Sequence, residues 1–216
     1  MPELSVPFSA FLTVWAFLAM NIATPGPNVL NTIALAIGSG RRAGFGSALG
    51  VGLGIGLWCL GMSLGMAALM QRVPGLRVAM TLLACGLLVW FAWRYLRAAR
   101  AGWCNRGRAE VQGRAGAGPR TAFLRSLSVN ASNPKALTTW IAVMAMFPVA
   151  GAGGWDIALL CAGACLLSFS IHMAYALAFS TPAATRVWLR MAPVVNAAVA
   201  TFFLGFAVRL ALGLRG

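Results

Sequence analysis

Thr24-Pro25-Gly26-Pro27-Asn28 interrupts an apolar run that extends from about Phe8 to Ile37. Each proline removes a backbone donor and clashes with the preceding turn, and the glycine adds conformational freedom that folding must remove. No water in the hydrocarbon of a membrane can satisfy the freed carbonyls. Broken backbone survives there only where it is buried in protein or lines a cavity. An interruption inside such a run therefore marks a candidate binding site. A second one follows half a chain later, at Asn133-Pro134-Lys135.

Composition puts both interruptions in a membrane. Of 216 residues, 60% are hydrophobic and 9% charged, and the mean hydropathy is +0.82. Soluble domains carry roughly a quarter charged residues. A span needs about 20 mostly apolar residues, so the chain has room for several spans and little else. The net charge of +14 has no aromatic-interleaved basic module with it, and nucleic acid is not expected as a partner. It reads instead as a loop asymmetry that orients the spans. Met1-Pro2-Glu3 lacks a positive n-region, so the first apolar run reads as a span and not as a removable signal peptide. Five cysteines (Cys59, Cys85, Cys104, Cys161 and Cys165) at irregular spacing imply no disulfide framework.

The fold class expected is an all-α polytopic membrane protein forming one transporter domain. Six spans are predicted, at about 8–37, 45–70, 75–96, 121–148, 156–179 and 191–212. Gly46, Gly50 and Gly54 put one small residue per turn on a single face of the second, which favours close helix packing. The same small-residue faces would permit a homodimer. Pro74-Gly75 and Gly151-Ala152-Gly153-Gly154 read as turns, and Thr181-Pro182 as the end of the fifth span. Residues 98–120 form the one sizeable hydrophilic stretch, predicted as a solvated linker that can touch anionic lipid headgroups.

Arginine sets the orientation. One side receives Arg41, Arg42, Arg94, Arg97, Arg100, Arg106, Arg108, Arg114, Arg120, Arg125, Arg186 and Arg190. The other receives Arg72, Arg77, Arg209 and Arg215. By the positive-inside rule the long loop is cytoplasmic and, with six spans, both termini face outward.

Pro25 and Pro134 lie 109 positions apart (134 − 25), close to half the chain. Residues 1–97 and 121–216 would then be two three-helix repeats, each opening with a broken helix. An odd number of spans per repeat inverts the second copy, an arrangement that points to a transporter site near the midplane. Thr24, Asn28 and Asn31 fall at i, i+4, i+7, and Ser126, Asn130 and Asn133 repeat that spacing. Each set shares a helix face. Such polar residues either face a wet cavity or simply hydrogen-bond between helices. Lys135, the only lysine, would pair with a substrate carboxylate or with carbonyls freed by the interruption, or else snorkel to the interface. His172, the only histidine, shares a face with Ser168 and Tyr175. Its ordinary pKa near 6.5 suits a proton carrier, and a structural role is open as well. His172 and Tyr175 are the coupling candidates. Asp156, at the mouth of the fifth span, is the nearest acid, and no Asp or Glu falls inside a span.

Thr24-Pro25-Gly26-Pro27-Asn28, then Gly38, Arg41 and Gly44, the glycine-spaced second span and Asn133-Pro134-Lys135 together resemble the lysine exporter (LysE/RhtB) family. The resemblance covers essentially the whole chain. It implies a six-span exporter of amino acids or close derivatives in the bacterial inner membrane, driven by an ion gradient, with proton antiport expected. It places Pro25, Gly26, Pro27, Asn28, Asn133, Pro134 and Lys135 at the family's motif positions. The family's Pro-Gln-Phe-like ending to the fourth span is replaced here by Phe147-Pro148-Val149, and nothing is carried over there. The substrate-binding set is therefore Thr24, Pro25, Gly26, Pro27, Asn28, Asn31, Asn130, Asn133, Pro134 and Lys135. The lack of intramembrane carboxylates favours a neutral or hydrophobic amino acid. No cofactor, metal site or catalytic residue is expected.

Three rivals have weaker support. A carrier of thiol reducing equivalents needs two thiols in disulfide reach, and the closest pair in sequence, Cys161 and Cys165, lies on one helix. A metal exporter needs clusters of Cys, His or carboxylate. An intramembrane enzyme would have only Ser168 with His172 to work with.

Overall fold

The computed structural model describes residues 4–73, 75–104 and 112–213. Met1, Pro2, Glu3, Pro74, Arg106, Arg108 and Arg215, used in the sequence reading, lie outside them. Among the described residues seven α-helices follow one another: α1 (Phe8–Ile22), α2 (Pro27–Arg72), α3 (Leu76–Cys104), α4 (Pro119–Ala131), α5 (Pro134–Met146), α6 (Gly154–Ala178) and α7 (Pro182–Leu212). A short 3₁₀ turn, Val149–Gly151, joins α5 to α6. Among the described residues there is no strand.

Proline punctuates these helices consistently. α2, α4, α5 and α7 each carry proline in their first turn, where its missing N–H would have had no partner anyway. Asn133 caps α5 by accepting from the Lys135 N–H at 3.0 Å, and Thr181 caps α7 by accepting from the Ala184 N–H at 3.3 Å. Thr181-Pro182 is thus the start of a helix. α7 begins nine residues before the span expected at 191–212, and Pro193 sits within it.

α2 is not one rod. Gly40 has φ 81 and ψ 175, a conformation open to glycine and disfavoured for other residues. Thr32 and Ser47 show the consequence: their hydroxyls lie 2.8 Å apart. Fifteen residues of straight helix would separate them by about 22 Å. The chain therefore folds back at Gly40, so that residues 27–39 and 41–72 lie side by side.

Among the described residues four helices are long and apolar enough to cross a membrane: Pro27–Leu69, Val78–Cys104, Gly154–Ala178 and Ala183–Leu212. The outer faces agree. Leu57 and Leu64 of α2, Leu82 and Val89 of α3, Leu166 of α6 and Val208 of α7 all point outward. Scattered over every long helix, they form an apolar surface unusual for a soluble monomer. The chain is thus an all-helical, multi-pass membrane protein. α3 continues to Cys104, past the predicted end of its span at 96.

α2 packs most extensively on α4 and α6, and α3 on α7. The Gly46-Gly50-Gly54 face makes the first contact possible. A Cβ at these positions would come within 2.2 Å of the Pro119 carbonyl oxygen, 2.3 Å of the Phe123 carbonyl oxygen and 2.6 Å of Asn130 Oδ1. Bare backbone here lets α2 lie directly against α4, so Asn130 is pressed toward the centre. An aromatic and aliphatic core built around Phe11, Phe17, Leu88, Trp140 and Phe203 holds the remaining helices together. Asp156 ties the N-terminal segment down by accepting from the backbone N–H groups of Ser5, Val6 and Gly153.

A carboxamide- and lysine-lined cavity between the two helix interruptions

In a continuous helix the Asn21 carbonyl would accept from residue 25 and the Ala23 carbonyl from residue 27. Both of those residues are proline and offer no N–H. The Thr24 N–H reaches the Asn21 oxygen at 3.2 Å, and further donors come from elsewhere in the chain. Lys135 Nζ donates to the Asn21 oxygen at 2.8 Å, and the Tyr175 hydroxyl donates to the Ala23 oxygen at 2.6 Å. Pro134 likewise leaves the Asn130 carbonyl without its regular partner. That oxygen accepts from Trp58 Nε1 at 3.4 Å and from the Asn133 N–H at 3.2 Å.

Lys135 thereby links one interruption to the other. Its ammonium also donates to Thr24 Oγ1 at 2.6 Å and lies 5.5 Å from the centre of the Tyr95 ring, within cation–π range. The Thr24 hydroxyl gives its single proton to the Asn21 carbonyl. Its 2.7 Å contact with the Tyr95 hydroxyl is therefore one that Tyr95 donates. Asn21 Nδ2 donates to Thr139 Oγ1 at 2.7 Å, and Thr139 donates back to the Lys135 carbonyl at 2.6 Å. This buried net satisfies the ammonium with neutral oxygens and no carboxylate.

The two polar stripes face each other in opposite directions. Asn31 Nδ2 donates to Ser126 Oγ at 2.8 Å, while Thr24 meets Lys135 at the other end. Between them lies a cavity of about 40 Å³, lined by Asn21, Thr24, Gly26, Pro27, Asn28, Asn130, Asn133, Lys135, Thr139 and His172. Leu18, Ile22, Val29, Ile55 and Ala136 supply its apolar wall. Four of its polar side chains hold buried atoms with no hydrogen-bond partner among the described residues: Asn21 Oδ1, Asn28 Oδ1, both amide atoms of Asn130, and His172 Nε2. His172 Nδ1 lies 2.8 Å from the Ser168 carbonyl, which only an N–H can satisfy. In the neutral ring that leaves Nε2 as the acceptor. Unpaired buried polar atoms are costly, and these converge on one cavity.

Of the residues singled out in the sequence, Asn31 and Tyr175 do not line this cavity. Asn31 belongs to a polar layer one turn away, and Tyr175 braces the end of α1. Pro25 and Pro134 act through the backbone groups they omit. Three further residues, Asn21, Tyr95 and Thr139, complete the lysine's surroundings. Asn21 and Thr139 were findable, lying one turn from Thr24 and Lys135 respectively. Tyr95, on α3, gave no local signal. The thiols also differ from their sequence spacing: Cys59 of α2 lies near Cys161 of α6. Among the described residues no three His, Cys, Asp or Glu side chains gather as a metal site would require.

A polytopic helical bundle with unwound helix ends around a central polar cavity is the architecture of a membrane transport protein. The profile of the LysE type translocator family matches residues 19–214, and the chain belongs to that family. It is thus a transporter and not an enzyme. It is 28% identical over 203 residues to the uncharacterized membrane protein YahN of Escherichia coli (strain K12), covering 94% of this chain and 88% of that one. It is 29% identical to the leucine efflux protein of Enterobacter sp. (strain 638), covering 93% and 95%. It is 24% identical to the threonine efflux protein of Salmonella typhi, covering 93% and 96%. No solved structure matches it.

Proposed function

We propose that this chain exports small neutral amino acids, with apolar side chains preferred, across the bacterial inner membrane by proton-coupled alternating access. The observation that carries this reading is the Lys135 ammonium, held by Asn21 and Thr24 at the edge of a cavity with unpartnered amide groups. Lys135 supplies the charge for a substrate carboxylate, and Asn28 and Asn130 supply hydrogen bonds for its polar groups. The apolar wall of Leu18, Ile22, Val29 and Ile55 supports an aliphatic side chain. The names of the leucine and threonine efflux relatives support the same substrate class.

In this reading α1 with residues 27–39, and α4 with α5, are two interrupted spans. Each opens a three-helix repeat, the second inverted relative to the first. Rocking of one repeat against the other exposes the cavity to alternate sides. The arginine-rich loop side is cytoplasmic, both termini face outward, and lipid covers the apolar flanks. His172 Nε2 is the proton-accepting atom of the coupling step.

The test is release of amino acids from cells preloaded with a panel of dipeptides, with and without the protein. Accelerated release of one or a few neutral amino acids supports the reading; unchanged release of all of them removes it. The proximity of Cys59 to Cys161 gives a thiol-transfer reading a pair on separate helices. Efflux that survives alkylation of every cysteine would dispose of that alternative.

A further inference from the structure

We propose that residues 113–117 form a strap that seals the loop-side end of the substrate path, with Arg114 as its closing residue. A polar track leaves the cavity in that direction. Asn28 and Asn130 line the cavity. One turn on from each lie Asn31 and Thr32 on α2 and Ser126 on α4. These three residues join with Ser47 in a continuous buried chain, Asn31 to Ser126 at 2.8 Å, Ser126 to Ser47 at 2.7 Å and Ser47 to Thr32 at 2.8 Å. A buried row of hydroxyls and amides either ties helices together or lines a wet path, and this one runs from the cavity to an exposed arginine.

Arg114 closes that row. Its guanidinium donates to Asn31 Oδ1 at 3.3 Å, while the rest of the residue stays exposed on the loop side. The strap is fastened by its backbone as well. The Arg114 N–H donates to the Ala34 carbonyl at 2.9 Å. Ser39 donates to the Arg114 carbonyl and accepts from the Ala117 N–H at 3.0 Å. Glycine at both contact points allows the approach. A Cβ on Gly38 would lie 2.2 Å from the Arg114 nitrogen, and one on Gly113 would lie 3.1 Å from the Gly38 Cα. The expected solvated linker is, over this segment, a docked cover. These four hydrogen bonds run to the helix end at residues 34–39 or to the buried row, and Ala117 packs on the small cluster of Leu35, Ala43 and Ala122, so lifting the strap opens this satellite cluster and leaves the main apolar core packed.

The experiment reads access to the cavity and needs no substrate, so it stands whether or not amino acids prove to be the cargo. Ala136, buried on the cavity wall, is replaced in the full chain (Ala136→Cys). Its labelling by a membrane-impermeant maleimide is timed from each side in oriented vesicles, against the chain without that substitution. Adding Arg114→Ala should speed labelling from the loop side about fivefold or more, the shift expected when a hydrogen bond to a charged group is lost. Gly38→Ala, which keeps the guanidinium but displaces the strap, should do the same. Neither should speed labelling from the opposite side. Truncating the exposed Arg114 side chain should leave the fold intact. Unchanged loop-side labelling in Arg114→Ala overturns the proposal. Equal acceleration from both sides would mean general loosening and overturns it too.

Discussion

Lys135 Nζ lies 2.8 Å from the carbonyl oxygen of Asn21, the acceptor that Pro25 leaves without a helical donor. The residue that follows the second interruption thus repairs the first. Such an arrangement stabilises the unwound ends only while the ammonium stays home. A substrate carboxylate competing for the same charge would leave the Asn21 carbonyl to the N–H and hydroxyl of Thr24, and this couples binding to the geometry of α1.

Lys135→Ala removes that charge and should lower efflux about ten- to a hundredfold, the range for losing hydrogen bonds made by a charged group. Efflux from dipeptide-loaded cells, at matched abundance in the membrane, checks this. Unchanged efflux would remove Lys135 from substrate binding.

Tyr95→Phe deletes the hydroxyl that donates to Thr24 but keeps the ring near the ammonium. Loss of one neutral hydrogen bond is worth about 0.5–1.5 kcal/mol. The expected result is a KM for efflux raised by up to about tenfold with the maximal rate less affected. Tyr95→Leu, which also removes the ring, should cost more.

His172→Gln keeps a donor and an acceptor but cannot carry a proton. Efflux driven by a pH gradient should fall to the level seen with the gradient collapsed, while exchange of labelled for unlabelled substrate should persist. Equal pH-gradient stimulation in the variant and the parent would assign His172 to packing.

Gly50→Leu places a side chain where a Cβ alone would meet the Phe123 carbonyl oxygen at 2.3 Å. Overpacking costs about 1–3 kcal/mol, and here it would separate α2 from α4. A lower melting temperature in detergent is expected. Gly65→Ala, where a Cβ meets nothing within 4 Å, should leave that temperature within error.

What was legible in the sequence was what backbone chemistry dictates locally. Two prolines in an apolar run mark unwound helix whatever surrounds them, and Gly46, Gly50 and Gly54 mark close packing because glycine presents bare backbone. Helix limits were less legible. Thr181-Pro182 fits the end of one helix and the start of the next equally well, and only the Ala184 contact decides. The reversal at Gly40 depends on one dihedral. Tyr95 and Arg114 could not be placed, since their partners lie 71 and 83 positions away and no periodicity encodes such distances. Residues 113–117 read as linker because glycine, alanine and arginine make up the whole stretch, and small residues are also what a strap docking backbone to backbone requires.

The most direct measurement is ligand-induced stabilisation of the purified protein by leucine and by its carboxyl amide, in the parent chain and in Lys135→Ala. A cavity that holds the carboxylate through Lys135 predicts that leucine raises the melting temperature of the parent, that the amide does not, and that neither acts on the variant. Equal stabilisation by acid and amide, or stabilisation by leucine that survives loss of Lys135, would contradict it.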